Sequence, residues 1–267
     1  MTQDSMLSAG SRTSPGPDTA PTDAAGAATT SVVVGGLARG MAAAGLALVA
    51  VTLLAVGYLH LAGPTAGISW ARRTISEYAL TDSAWLFNLG VVALAAGSVC
   101  ILAALVTQRL ARPGSAGVLL GLVWSAALLA LVVFPKHNWA VGPSTDGQIH
   151  RVASLVAFLA LPVAVMLLTR RGRGGRRVHR PGWARAGFWL GVASLVWFSP
   201  LAGSFLLAPV TGVPWYRAIP LGTVERGLAL TEVLAVLAVG LWAMRVARVG
   251  VPGHTRPVPP PPAGADR

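Results

Sequence analysis

The sequence predicts an all-α fold: a polytopic membrane protein, a bundle of six transmembrane helices with both termini cytoplasmic. Three observations predict it. Of 267 residues, 54% are apolar and only 11% are charged, against roughly 25% charged in a soluble domain. Charge-free stretches run over Gly40–Ala71, Ser83–Gln108, Pro113–Pro135, Val152–Thr169 and Ala186–Tyr216, and Gly227–Met244 is apolar apart from Glu232. Each is about the length that crosses a bilayer as a helix, near 20 residues. Finally, the basic residues gather in alternate connections. An ordinary water-soluble enzyme is excluded.

The elements follow in order. Residues 1–31 are rich in Ala, Thr, Ser, Gly and Pro and contain almost none of the large apolar side chains that offset the entropy of ordering, so a disordered tail is expected, bounded at 1–38. The first apolar run lies too far from the start, and is too long, for a signal peptide. It is expected to stay as a helix over Met41–Ala62. The other helices are expected at Ala84–Thr107, Ser115–Phe134, Ile149–Thr169, Ala184–Ala208 and Thr223–Val246. Ser199-Pro200 inside the fifth predicts a kink. The transmembrane domain is thus bounded at 39–248. Residues 249–267 carry Pro257-Val258-Pro259-Pro260-Pro261-Pro262 and are read as a second, Pro-rich disordered tail.

With the N-terminus inside, 15 of the 21 basic residues fall on the inner side and six outside: Arg72, Arg73, Lys136, Arg151, Arg217 and Arg226. That is the positive-inside asymmetry. It accounts for the net charge of +12 without nucleic acid as a partner. The run Arg170–Arg185 holds seven of the inner arginines and reads as an anchor near anionic headgroups. Twenty of the 21 basic residues are Arg, which with the Ala and Gly content suggests a high-GC bacterial genome, hence a bacterial plasma membrane. The single Cys100 allows no intramolecular disulfide and does not identify the redox compartment.

Acids take the opposite side. Outside the tails there are five, Glu77, Asp82, Asp146, Glu225 and Glu232, all in expected outer loops or in the membrane, where His60, His137 and His150 also lie. The non-cytoplasmic face is therefore where ligand or acid-base chemistry is expected. In Ser69-Trp70-Ala71-Arg72-Arg73-Thr74-Ile75-Ser76-Glu77-Tyr78, guanidinium forks could grip a phosphate or carboxylate, with a hydroxyl and a base beside them. Alternatively Trp70 and Tyr78 seat this loop in the interface while its charges pair among themselves. Asn88 lies roughly two turns inside the second helix and would serve a ligand or a neighbouring helix.

His150 and Ser154 share a helix face, and Ser76, Glu77 and His150 are the candidate catalytic groups. No His-x-x-x-His or Cys pair supplies the local spacing a zinc site wants, so no metal and no cofactor is expected. Glu225 suits a helix N-terminus without further function. Glu232, seven residues on, is an intramembrane carboxylate, which is costly and by default marks a site with a partner, unless it is a buried pair that fixes helix register. The ligand-binding candidates are accordingly Arg73, Ser76, Glu77, Asn88, His150, Glu225 and Glu232. No Walker loop, dinucleotide fingerprint or Gly-x-Ser-x-Gly elbow is present.

Arg73-Thr74-Ile75-Ser76-Glu77 after the first helix, Phe87-Asn88-Leu89-Gly90 in the second, Phe134-Pro135 closing the third, His150 opening the fourth and Leu161-Pro162 near its end resemble the bacterial integral membrane family called domain of unknown function 998, over roughly Val49–Arg248. The resemblance implies six membrane-spanning helices and no established activity. A more distant similarity is to membrane hydrolases of the alkaline ceramidase and adiponectin receptor type, which place Ser, Asp and His at one membrane face; their paired histidines on a late helix are missing here. The sequence thus suggests an outer pocket that binds a lipid headgroup or similar amphiphile. A structural or assembly protein is the alternative, followed by a membrane hydrolase or a proton-coupled transporter. Whether the chain is an enzyme, and its oligomeric state, stay open.

Overall fold

The computed structural model describes residues 22–61, 65, 67–138, 140–170 and 182–249. Six α-helices make up the fold: α1 (Thr22–Leu61), α2 (Ala84–Thr107), α3 (Ala116–Val133), α4 (Thr145–Thr169), α5 (Gly182–Thr211) and α6 (Leu221–Val249). All six are long and apolar enough to cross a membrane, and no strand occurs among the described residues. A short 3-10 helix, Ile75–Leu80, lies between α1 and α2.

The expected boundaries hold to within a few residues for α2 to α6, with α2 at the expected positions. Helix α4 begins before its first large apolar residue because a cap sets its start. In α4 the Ser144 hydroxyl accepts from Gly147 N–H at 3.1 Å, capping the helix a turn before Ile149. The first helix differs more. It begins at Thr22, so the described residues 22–38 are helical where the sequence reading has a tail. Residues 1–21, most of the Arg170–Arg185 run and residues 251–267 lie outside the described residues. Helix α5 continues through Pro200 and Pro209.

Successive helices pack as antiparallel neighbours, α1 with α2, α3 with α4 and α5 with α6, and α1 closes the ring on α6. Helix α6 also touches α2 and α4, so it runs through the interior. Close approach depends on small residues, as is usual where lipid supplies no hydrophobic drive between helices. A Cβ on Gly45 would stand 2.7 Å from the Gly97 carbonyl oxygen, and one on Gly97 2.9 Å from that of Gly45. Buried hydroxyls add inter-helix bonds: Thr52 Oγ1 donates to Gly90 O at 2.9 Å, and Ser194 Oγ to Thr231 Oγ1 at 3.0 Å. Leu54, Leu61, Leu206 and Val210 are exposed on the outside of the bundle. Such a surface would be a liability in water and suits a lipid environment.

This topology brings the end of α1, the 3-10 helix, the α3–α4 connection and the start of α6 to one end of the bundle. Glu77, Asp82, Asp146 and Glu225 all lie there; it is called the acidic end below.

Candidate functional site

The segment from Ser69 to Leu80 forms a strap across the start of α6. Its own turns are closed by Arg73 N–H to Ser69 O at 2.8 Å and Glu77 N–H to Thr74 O at 3.2 Å. The strap and α6 then satisfy each other's backbone. Thr223 N–H, one of the donors that a helix N-terminus leaves over, reaches Ala71 O at 3.2 Å. In return Glu225 Oε2 accepts from Ile75 N–H at 3.2 Å. The approach is so close that a Cβ on Gly222 would fall onto the Arg73 and Trp70 carbonyl oxygens. Only glycine fits that position.

Arg226 holds the strap down. Its Nη1 donates to Trp70 O at 2.7 Å, Arg73 O at 2.6 Å and Gly222 O at 3.1 Å, while Nη2 donates to the Tyr78 hydroxyl at 3.2 Å. Its Nε donates to His60 Nε2 at 2.9 Å. His60 Nδ1 lies 2.8 Å from Val56 O. A carbonyl cannot donate, so Nδ1 carries the ring hydrogen and Nε2 is free to accept. The Tyr78 ring, buried beneath the strap, packs edge-on to His60 with centroids 5.4 Å apart.

Lys136, just past the end of α3, joins a third connection to the strap. Its Nζ donates to Glu77 Oε1 at 2.6 Å and to Thr74 Oγ1, and Thr74 Oγ1 is 3.1 Å from Ser76 Oγ. Arg73 Nη1 stands 3.6 Å from the same Glu77 oxygen. The two cations differ in setting: the Lys136 and Glu77 side chains are 16% and 18% exposed, that of Arg73 59%. Glu77 is thus neutralised chiefly by Lys136, and the Arg73 guanidinium stays open to solvent beside exposed Arg72. Trp70 and Trp85, both largely exposed, flank this surface.

Of the residues singled out from sequence, Arg73, Ser76, Glu77 and Glu225 come together, Ser76 through Thr74 and Glu225 through Ile75 N–H. Asn88 is half-buried in α2, and no hydrogen bond of the strap reaches it. His150 is buried in the first turns of α4, its Nδ1 2.9 Å from Phe134 O. By the same tautomer argument its Nε2 carries a lone pair, and that atom has no hydrogen-bond partner among the described residues. Ser154 turns back to its own helix, donating to His150 O at 2.9 Å. Glu232 lies deeper in α6, 4% exposed. His137 belongs to the α3–α4 connection, accepting from Ser144 N–H at 2.9 Å with Arg151 Nη2 3.2 Å from its Nε2. Among the described residues no three His, Cys, Asp or Glu gather to hold a metal ion.

Sequence reasoning passed over Thr74, Tyr78, Lys136 and Arg226 as site members. One signal pointed to Lys136: it is the only lysine in the chain. A compact ammonium on a flexible stem reaches a hydroxyl and a carboxylate together without the fixed planar fork of arginine.

Six apolar helices around an interior α6, with charged groups confined to the ends apart from Glu232, define a multi-pass α-helical membrane protein. The family model described as Protein of unknown function (DUF998) matches residues 49–242, from within α1 to within α6. The chain belongs to that family, as the Ile75-Ser76-Glu77 and Phe87-Asn88-Leu89-Gly90 segments suggested. No curated protein and no solved structure matches it.

Proposed function

We propose that the acidic end of this membrane protein binds the headgroup of an anionic lipid or similar amphiphile, and that this end faces away from the cytoplasm. The observation that carries the reading is the inequality between the two cations on Glu77. Lys136 at 2.6 Å takes up the carboxylate's charge, whereas Arg73 at 3.6 Å is loosely held and mostly exposed. With Arg72 adjacent, the surface offers two guanidinium forks at the depth where Trp70 and Trp85 would sit in the membrane interface. In this reading Arg73 grips the anionic group, Ser76 and Glu77 accept from headgroup hydroxyls, and Glu225 fixes the strap. Asn88 and His150 complete the site on its interior side, and Glu232 is its deepest member. Both termini are cytoplasmic because 15 of the 21 basic residues then fall inside. The bilayer is a bacterial plasma membrane, and residues 39–248 form the domain that spans it.

Lipid bound to the purified protein, identified by native mass spectrometry, should be enriched several-fold in anionic species over the host membrane. Arg73→Ala should remove most of that enrichment. Bound lipid that mirrors the bulk membrane in both proteins would contradict the reading.

A second reading rests on Arg226. Its bonds to three carbonyl oxygens, His60 and Tyr78 are what a structural lock between connections requires. If the polar residues serve only to fix the helices, charge removal lowers stability and no lipid preference is found.

A further inference from the structure

Glu232 is unexplained by the strap. It lies 11 residues into α6, about 16 Å along the axis at ~1.5 Å per residue, near the middle of a hydrocarbon core ~30 Å thick. It is 4% exposed, and its Oε1 has no hydrogen-bond partner among the described residues. A carboxylate at that depth normally has a cation, because an uncompensated charge in hydrocarbon is costly.

The elements packed against α6 are α1, α2, α4, α5 and the 3-10 helix, whose Glu77 is held by Lys136. Between Arg39 and His60 α1 carries no charged residue, α2 carries none at all, α4 none after Arg151 and α5 none after Arg185. The titratable groups these helices offer are therefore at their ends, apart from Cys100 of α2 and the exposed Tyr58 of α1. Arg39 and Arg185 are exposed, His60 accepts from Arg226, and Arg151 lies against His137. His150 faces Phe134 O. On α6 itself Arg226 holds the strap, Arg245 stacks over Trp183 at 5.3 Å, and Glu225 is an acid. No ion pair reaches Glu232 among the described residues.

Other ligands fail on chemistry or size. A metal cation is usually held by several carboxylates, histidines or cysteines at once, and Glu232 belongs to no group of three such residues among the described residues. One turn further along α6, Val236 lines a void of about 20 Å³ with Ser98 and Trp124. That is room for little more than one water, not for an organic cation or a headgroup. Trp124 Nε1 also has no partner. As a neutral donor it can hydrogen-bond an acid but cannot balance a charge. A proton is the ligand that satisfies a solitary carboxyl here.

We propose that Glu232 is a proton-binding site inside the membrane, occupied as the neutral acid in this arrangement of the bundle. Glu225, seven residues earlier on nearly the same face of α6, is the acid that the same helix presents at the acidic end. The function implied is uptake and release of a proton within the bundle, which the headgroup reading neither requires nor supplies.

The test is infrared difference spectroscopy of the full chain in lipid nanodiscs at neutral pH. Wild type minus E232Q should contain the carbonyl stretch of a protonated carboxylic acid, and wild type minus E225Q should leave that band in place. Loss of ionised-carboxylate bands alone in E232Q would overturn the proposal, because the charge would then have a cation partner. If E232Q does not fold, the wild-type chain can be treated with dicyclohexylcarbodiimide, which adds to protonated carboxyls in apolar surroundings. An adduct mapped to Glu232 by mass spectrometry supports the site, and an unmodified Glu232 refutes it. Lipid enrichment at Arg73 is read separately, so either proposal can fail alone.

Discussion

Arg226→Ala should destabilise the protein by about 3 kcal/mol or more, the cost of removing one member of a charge-assisted network and leaving its partners unmet. The substitution strips donors from Trp70 O, Arg73 O and Gly222 O and from His60 Nε2 and the Tyr78 hydroxyl at once. The strap also loses its main tie to α6. Arg226→Lys should rescue little, since a single ammonium cannot address these acceptors in their separate directions. Thermal unfolding in detergent, with proteolysis between Ser69 and Leu80 as a local readout, checks this. A shift no larger than that of an exposed control such as Arg217→Ala would contradict it.

Lys136→Met should cost about 3 kcal/mol, the usual range for unpairing a mostly buried ion, because Glu77 is left at 18% exposure with only the looser Arg73 as partner. The double change Lys136→Met with Glu77→Gln should recover most of the loss, since replacing both members of a buried pair is often close to neutral. Additive losses would mean that the 2.6 Å pair does not couple the α3–α4 connection to the strap. Melting temperatures of the two single variants and the double variant provide the cycle.

The helices were legible because lack of charge over about twenty residues is a one-dimensional signal. Helix α2 could be bounded from Ser83 and Gln108 alone. The early start of α1 was not legible: Thr22–Ala38 is rich in Ala and small polar residues, a composition that suits both a helix and a tail. The site was legible in residue type and not in geometry. Glu225 looked like an acid answering its own helix dipole, yet it accepts from Ile75 N–H, 150 residues away. Arg226 and Lys136 entered the reading only as charges in a topology count, because nothing local distinguishes a guanidinium facing headgroups from one turned under a strap. Conversely, His150 and Asn88 were placed in the pocket by character, and helix phase leaves one buried against Phe134 and the other half-buried without a strap contact.

The central claim, an anion-binding headgroup site built on the strap, is most directly tested by photocrosslinking. A photoreactive phenylalanine analogue placed at Ser76 in the full chain, in membranes of known composition, should capture an anionic phospholipid. The same probe at Leu207, exposed on the apolar flank of α5, should capture lipids in proportion to the bilayer. Adducts at Ser76 that match those at Leu207, or that join only neighbouring protein segments, would contradict the account.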